Sequence, residues 1–355
     1  MTTMGLLTHR IPNPRRFDHW AQEAEKLGFS DTVLFTPERI RHNVRRLHAF
    51  RYRRGVWEDV VCPYPDVIHD LGYYVSHKTV RLVRRFKHDP NVECVGYGLG
   101  HKWEIHNKLQ RSGLERYLPA TRLYKGPGTV IAMAGQYGAV VLKPRNGKGG
   151  TGIVKVERTH DRKPSSYIWQ DRRERRVMMT EGRLLRKLDR SYTEGDILVQ
   201  QWLDIRDRDG RVYDVRALMQ KQPNHSWGMT AIGVRKGAEG TIKANLRAGG
   251  AVHPLLPFLS GQFGESKAET IADELTRVAV LVPGLLETAY GKPFIELGID
   301  LAVERKGTVK IIEVNVKPGK KIVRALSGEK AYADALFAPI RYAAVRAGIG
   351  AKSDS

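Results

Sequence analysis

The 355-residue chain, 41% hydrophobic with both signs of charge well represented, is long enough for two or three domains, or one domain with lobes. Its 60 Lys and Arg against 38 Asp and Glu leave a net charge of +22, which favours contact with a polyanion: RNA, an acidic polymer or a phosphorylated metabolite. Cys62 and Cys94 stand far apart with no C-x-x-C, which argues against a disulfide framework or structural zinc. The absence of a leader pattern or a membrane-length apolar run leads us to expect a cytoplasmic protein with no membrane partner.

Residues 1–98 read as a small α/β unit. An amphipathic helix over 20–27 ends at Gly28, and DTVLFTP (31–37) reads as an apolar strand leading into a basic helix. Further strands are expected over 56–61 and 91–97, with a second basic helix between them, so a small parallel sheet follows. No chemistry stands out here. Basic density peaks at 39–55 and again at 161–190; a solvated face explains either as readily as a polyanion site, and neither has an aromatic RNA-binding signature.

Residues 99–123 read as a linker, with a helix from Lys102 to Arg111 and then Gly113 and Pro119. Lys102 opens that helix and Lys108 lies on another face; for either, the ordinary fate is a solvated side chain.

Residues 124–200 carry VVLKPRNGKGGTGIVKVE (140–157). An apolar strand ends in Lys143, a loop runs through Gly147, Lys148, Gly149, Gly150 and Thr151, and from Gly152 a second strand returns. Glycines there let several backbone N–H groups turn toward one anion, so we read the hairpin as a cover over nucleotide phosphates. Gly147, Gly149 and Gly152 match G-x-G-x-x-G, but a strand follows where the dinucleotide fingerprint requires a helix. The kinase pattern lacks its H-R-D and D-F-G, and the P-loop would need Ser or Thr after Lys148. An ordinary flexible hairpin tip is the competing reading. The basic insertion is expected to be helical around 182–188, before a strand over 196–205.

In 201–349, Asp209-Gly210 marks a turn; RDRDG lacks the remaining ligands of a calcium loop. Asp214 and Arg216 lie two apart on the strand over 212–219 and project from one face. Arg235 lies near the end of the next strand, 226–237. A glycine-bearing loop (244–255), a long helix (265–290) and a hairpin of 294–304 with 308–319 follow. Glu313 and Asn315 share a face, and Asp300 on the partner strand can join them. Three hard oxygen donors suit Mg²⁺, which takes one or two carboxylates plus phosphates. Acidic residues on a solvent face are the alternative, but Ile311, Ile312, Val314 and Val316 make both faces of the strand apolar. A helix over 329–347 closes the chain.

The order of these features resembles the ATP-grasp superfamily of carboxylate–amine ligases. It comprises a linker lysine, a strand lysine before a glycine-rich cover, a V-x-Q hinge, D-x-R, a later arginine, N-L-x-x-G-G and D…E-x-N. The strings QQWLDI, DVRALMQK, NLRAGG and LGIDLAVE…IIEVNVKPG resemble its YheC/YheD group, associated with endospore formers. The resemblance implies an α/β fold with two α+β lobes clamping ATP behind an N-terminal α/β domain. It implies phosphate contacts for Lys102 and Lys143, a cover at Gly147 to Gly152, and a hinge of Gln200, Gln201, Trp202 and Leu203 reading adenine. Asp300, Glu313 and Asn315 would hold Mg²⁺, while Arg216, Arg235 and Asn245 would face the transferring phosphate. Two departures stand out. Gln200-Gln201 replaces a glutamate that many relatives have, leaving Asp204 as a weaker ribose contact, and His101 precedes Lys102, so Lys108 stays open as the first lysine. The implied reaction joins a carboxylate to an amine, an amino acid or peptide; a spore-associated scaffold and a ligase using a tRNA-like polyanion are the alternatives.

Overall fold

The computed structural model describes residues 2–74, 76–146, 152–159, 165–171, 175–238 and 250–349, arranged around three sheets. The first contains β1 (Thr3–Leu7), β2 (Asp31–Phe35), β3 (Ile40–Arg41), β4 (Arg46–Arg53), β5 (Val56–Pro63), β6 (Val67–Asp70) and β7 (Glu93–Val95). Their order is β3-β4-β2-β1-β6-β7, with β5 on β4. β1 pairs in parallel with β2 and β6, and β6 with β7, but β4 runs antiparallel to β2, β3 and β5, so the sheet is mixed and not the purely parallel one expected. Central parallel strands are covered on both faces, and accordingly Met4, Leu6 and Leu7 are fully buried. Helices α1 (Asp18–Lys26) and α2 (His77–Lys87) belong to this unit.

The basic stretch after Pro37, expected as a helix, is instead the strands β3 and β4. Leu47 and Ala49 are buried between more exposed Arg46, His48 and Phe50, a period of two that only a strand can satisfy. The arginines stay outward and Gly55, at φ +83°, turns the chain into β5.

Helix α3 (Lys102–Leu109) leads into the second sheet, whose strands are β8 (Thr121–Leu123), β9 (Ala139–Pro144), β10 (Val154–Thr159), β11 (Ser166–Gln170), β12 (Arg176–Thr180) and β13 (Ile197–Gln201). It is antiparallel throughout, in the order β12-β11-β10-β9-β13-β8. Helices α4 (Pro127–Tyr137) and α5 (Glu181–Ser191) cover one face, burying Val140, Leu142, Val156 and Trp169 beneath Met133 and Leu188. The basic insertion therefore extends this sheet and ends in α5, where Leu184 and Leu188 face inward and Arg183, Arg186, Lys187 and Arg190 face solvent.

The third sheet, also antiparallel, runs β16-β15-β14-β17-β18. Its strands are β14 (Tyr213–Lys221), β15 (Trp227–Lys236), β16 (Ala251–Pro254), β17 (Glu296–Val303) and β18 (Val309–Val316). Of the loop expected over 244–255, residues 244–249 lie outside the described residues and 251–254 form β16. Helix α6 (Leu255–Phe263) precedes α7 (Glu265–Tyr290), whose stripe of Ile271, Leu275, Val278, Val282 and Leu286 fills the core under the sheet. The last helix, α8 (Lys321–Arg346), is interrupted at Gly328 (φ +81°) and then crosses to the first sheet. There Ile340, Tyr342, Ala343 and Ala344 share a core with Met4, Leu6 and Ala24. The C-terminal helix thus completes the N-terminal unit.

Candidate active site

Register brings the charged residues of the third sheet together. Arg216 on β14 lies opposite Asp300 on β17, Asp300 lies opposite Glu313 on β18, and Asp214 lies opposite Arg235 on β15. The Arg216 fork donates to both oxygens of Asp300, with Nη2–Oδ2 at 2.9 Å. Arg235 donates two 2.6 Å bonds to Asp214 and comes within 3.0 Å of Asp300 Oδ1. Two buried carboxylates and two guanidiniums therefore neutralise each other, as burial requires. Burial raises the pKa of Asp214, against which Arg235 works. Burial acts the same way on Asp300, but Arg235 and Arg216 overcome it and hold that carboxyl below its ordinary value.

Two local irregularities make room for this cluster. The register between β17 and β18 slips between Asp300 and Leu301, a bulge of the kind that re-aims side chains. Gly298, opposite Asn315, is the second: a Cβ there would come 2.6 Å from Pro318 Cβ and 3.1 Å from Arg216 Nη1. Asn315 Nδ2 lies 3.5 Å from Asp300 Oδ2, so the third oxygen-bearing residue is on the same face.

Lys102 joins this face to the glycine-rich hairpin. Its ammonium is 2.5 Å from Glu313 Oε1, and its backbone N–H donates to the Arg145 carbonyl at 3.4 Å, just beyond the end of β9. Lys108 turns elsewhere: it donates to the Ala289 carbonyl at 2.5 Å and covers the Tyr290 ring. β9 and β10 pair as the expected antiparallel hairpin, and Gly152, at φ +73°, packs where a Cβ would meet Pro144 Cγ at 2.9 Å. Gly147, Lys148, Gly149, Gly150 and Thr151 lie outside the described residues, as does Asn245.

On the second sheet, Lys143 donates to Gln200 Oε1 at 2.6 Å, and Gln200 Nε2 donates to Thr121 Oγ1 at 2.9 Å. The N–H groups of Gln201 and Trp202 are engaged by the carbonyls of Ala120 (2.8 Å) and Ala139 (3.0 Å). Asp204, the weaker ribose candidate, pairs with Arg305 at 3.1 Å. Lys155 belongs to no sequence motif. It is 5% exposed, pairs with Glu157 at 2.8 Å, and holds its ammonium 4.8 Å from the Trp202 ring. The signal for it was available: Lys155 pairs in register with Val141, two residues before Lys143, so it shares the face of Lys143. The RDRDG turn is closed by protein groups, with Asp207 accepting from Arg211 N and Lys236 on β15 bridging Asp207 and Asp209.

The carboxylate and amide oxygens of Asp300, Glu313 and Asn315 are of the hard kind that Mg²⁺ takes. Among the described residues no three His, Cys, Asp or Glu side chains gather at metal-binding distance. Mg²⁺ needs fewer protein ligands than that, because it retains water and phosphate oxygens. Glu313 already attracts a cation, the Lys102 ammonium, while Asp300 is occupied by the two arginines.

Three sheets with this arrangement are those of an ATP-grasp protein. The chain is similar to D-cycloserine synthetase DcsG, with a TM-score of 0.55 and 12% identity, covering 96% of this chain and 99% of that one. It is also similar to D-alanyl-alanine synthetase A from Vibrio cholerae O1 biovar eltor str. N16961, with a TM-score of 0.54, 13% identity and coverage of 96% and 98%. The family described as YheC/D like ATP-grasp matches residues 91–345, and the chain belongs to that family. A relative is the endospore coat-associated protein YheC of Bacillus subtilis (strain 168), 26% identical over 318 residues and covering 87% of this chain and 86% of that one. Among the described residues no helix is long and apolar enough to cross a membrane.

Proposed function

We propose that the chain is an ATP-dependent ligase that joins a carboxylate to an amine, an amino acid or peptide, through an acyl phosphate. The observation that carries this reading is Lys102, which touches the root of the glycine-rich hairpin through its backbone and Glu313 through its ammonium. Phosphates held beneath that hairpin would then meet the carboxylates of the third sheet. In this reading, residues 1–98 precede the clamp, 99–123 link to it, 124–200 form the covering lobe and 201–349 the lobe with the carboxylates.

Phosphoryl transfer is mainly positioning and charge neutralisation, which suits this inventory of cations and needs no nucleophilic side chain. Lys102 and Lys143 would bind phosphate oxygens, with Gln200 orienting Lys143. Gln201 and Trp202 use their N–H groups within the protein, so base reading would fall to Leu203 and to hinge carbonyls. A substrate carboxylate oxygen bonds to the γ-phosphorus as the bond to the β-phosphate bridge breaks, releasing ADP. The amine then bonds to the acyl carbon, phosphate leaves, and the amine loses a proton. Arg216 and Arg235 would offer planar guanidiniums to the acyl phosphate in exchange for their bonds to Asp300 and Asp214, and Asn245 would join them. Asp300, Glu313 and Asn315 would hold Mg²⁺, which supplies Lewis-acid neutralisation of phosphate charge.

A second reading is a nucleotide-binding, spore-associated component with little catalysis. Two observations favour it: the coat association in the name of the YheC relative, and the occupation of Asp300 by both arginines. One experiment separates them. Thermal stabilisation by MgATP is measured first, then ADP release with mixed amino acids and peptides for the wild type, Glu313→Ala and Lys143→Ala. ADP release that both substitutions abolish supports the ligase; stabilisation without ADP supports the second reading; near-normal turnover in both variants removes the site assignment.

A further inference from the structure

The strand that carries Glu313 and Asn315 is tied at its end to the N-terminal sheet. β18 stops at Val316, and Lys317 adopts a left-handed conformation, φ +54°, rare for a residue with a side chain. That conformation is held from two sides. The Lys317 ammonium lies 2.9 Å from Asp70 Oδ1 and also donates to the Gly72 carbonyl, while the Lys317 carbonyl accepts from the Tyr73 hydroxyl at 2.8 Å. Asp70 ends β6 at the carboxyl end of the sheet's parallel strands and is 4% exposed. It is itself fixed by Lys87 (2.6 Å), the Tyr74 hydroxyl (2.8 Å) and the Gly72 N–H (2.8 Å). A mobile surface lysine would not need a fully ligated, buried carboxylate or a strained backbone. Such backbone persists where the surroundings over-determine it, typically beside a functional site.

We propose that Lys317 is a positioning residue, latched to Asp70 and Tyr73 so that the N-terminal sheet sets the end of β18 and, through it, the Asn315 amide that would complete the Mg²⁺ set. The proposal rests on the ATP-grasp ligase reading above. Asn315 lies two residues from Lys317, opposite Gly298, and Pro318, the next residue, packs against Gly298. The four residues Lys317, Pro318, Gly319 and Lys320 are also the link from β18 to α8, which completes the N-terminal core. Any shift of that sheet therefore reaches Asn315 through one short, closely held segment.

The test uses the full chain, with Lys317→Gly, which suits a left-handed backbone and removes the ammonium, and Tyr73→Phe, which removes only the hydroxyl on the Lys317 carbonyl. Circular dichroism confirms that each variant is folded. Calorimetric titration then reads ATP affinity in EDTA and the Mg²⁺ concentration that half-saturates the nucleotide complex. The expected result is a rise of about tenfold in that Mg²⁺ concentration for Lys317→Gly, a smaller rise in the same direction for Tyr73→Phe, and ATP affinity in EDTA within about twofold of wild type, since partners beyond the first ligands typically tune metal affinity by 10–100-fold. Unchanged Mg²⁺ dependence in folded variants, or equal loss with and without Mg²⁺, would overturn the latch. Failure of the wild type itself to bind MgATP would instead remove the ligase reading beneath it.

Discussion

Lys102 and Glu313, 211 residues apart in the chain, meet in a 2.5 Å ion pair at the junction of the second and third sheets. Both side chains keep substantial exposure, 23% and 33%, so the pair contributes little to folding. The Glu313 carboxylate nonetheless faces Asp300 across β17 and β18. We expect Glu313→Gln to change stability by no more than about 1 kcal/mol in urea titration, while ADP release falls at least about 100-fold. A large loss of stability with intact turnover would mean that the residue is structural.

Asp300 is the opposite case. It is 7% exposed and satisfied by Arg216 and Arg235, so removing its charge leaves two guanidiniums buried without it. Asp300→Leu should cost about 3–5 kcal/mol, the usual penalty for breaking a buried ion pair from one side. Replacing Asp300 and Arg216 together by apolar residues should recover part of that loss. Additive losses in the double variant would show that the two side chains are not energetically coupled.

Gly298 tests the close packing under the cluster. A methyl group there meets the Pro318 ring, which cannot rotate away, and the guanidinium of Arg216. Gly298→Ala should destabilise by about 1–3 kcal/mol through overpacking. Calorimetric melting should show this, whereas Gly261→Ala, with open space around its Cβ position on α6, should leave the melting temperature nearly unmoved.

Stability should also fall in acid, in two windows. Burial depresses the His69 pKa to about 3, helped by Lys317 and Lys320 nearby, so the folded protein keeps the ring neutral. The unfolded chain takes up that proton first, and stability is lost as pH falls from about 6.5 toward 3. Asp70 follows lower down. Burial opposes its charge, but Lys87 and Lys317 prevail and bring it to about 2, so its contribution is present above the ordinary carboxylate value and lost as pH falls through 2. Urea midpoints measured from pH 7 to pH 3 should therefore decline, and His69→Asn should flatten the upper part of that decline. An equally steep decline in the variant would assign it to other groups.

Much of this organisation was legible in the chain because it is local. The alternation through Glu313 and Asn315 and the expected hairpin of 294–304 with 308–319 placed those residues and Asp300 on one strand pair, and β17 and β18 pair in that way. The hairpin of β9 and β10 and the long helix over 265–290 were readable for the same reason. The count of arginines after Pro37 misled, because composition suggested a helix where Leu47 and Ala49 set a period of two. Lys155 was passed over because its role depends on the pairing register of β9 with β10 rather than on a motif.

The sequence alone determined local choices such as the hairpins of β9 with β10 and β17 with β18 and the helix α7, since those rest on side-chain periodicity and backbone sterics over a few residues. It also placed acids, lysines and arginines in the order of the ATP-grasp family. Only the tertiary structure decided which charges meet: Lys102 rather than Lys108 with Glu313, both arginines with Asp300, and Lys317 with Asp70, 247 positions apart in numbering. Those partnerships arise from strand register and the approach of separate sheets, and the strength of a charge pair depends on distance and burial that no local pattern encodes.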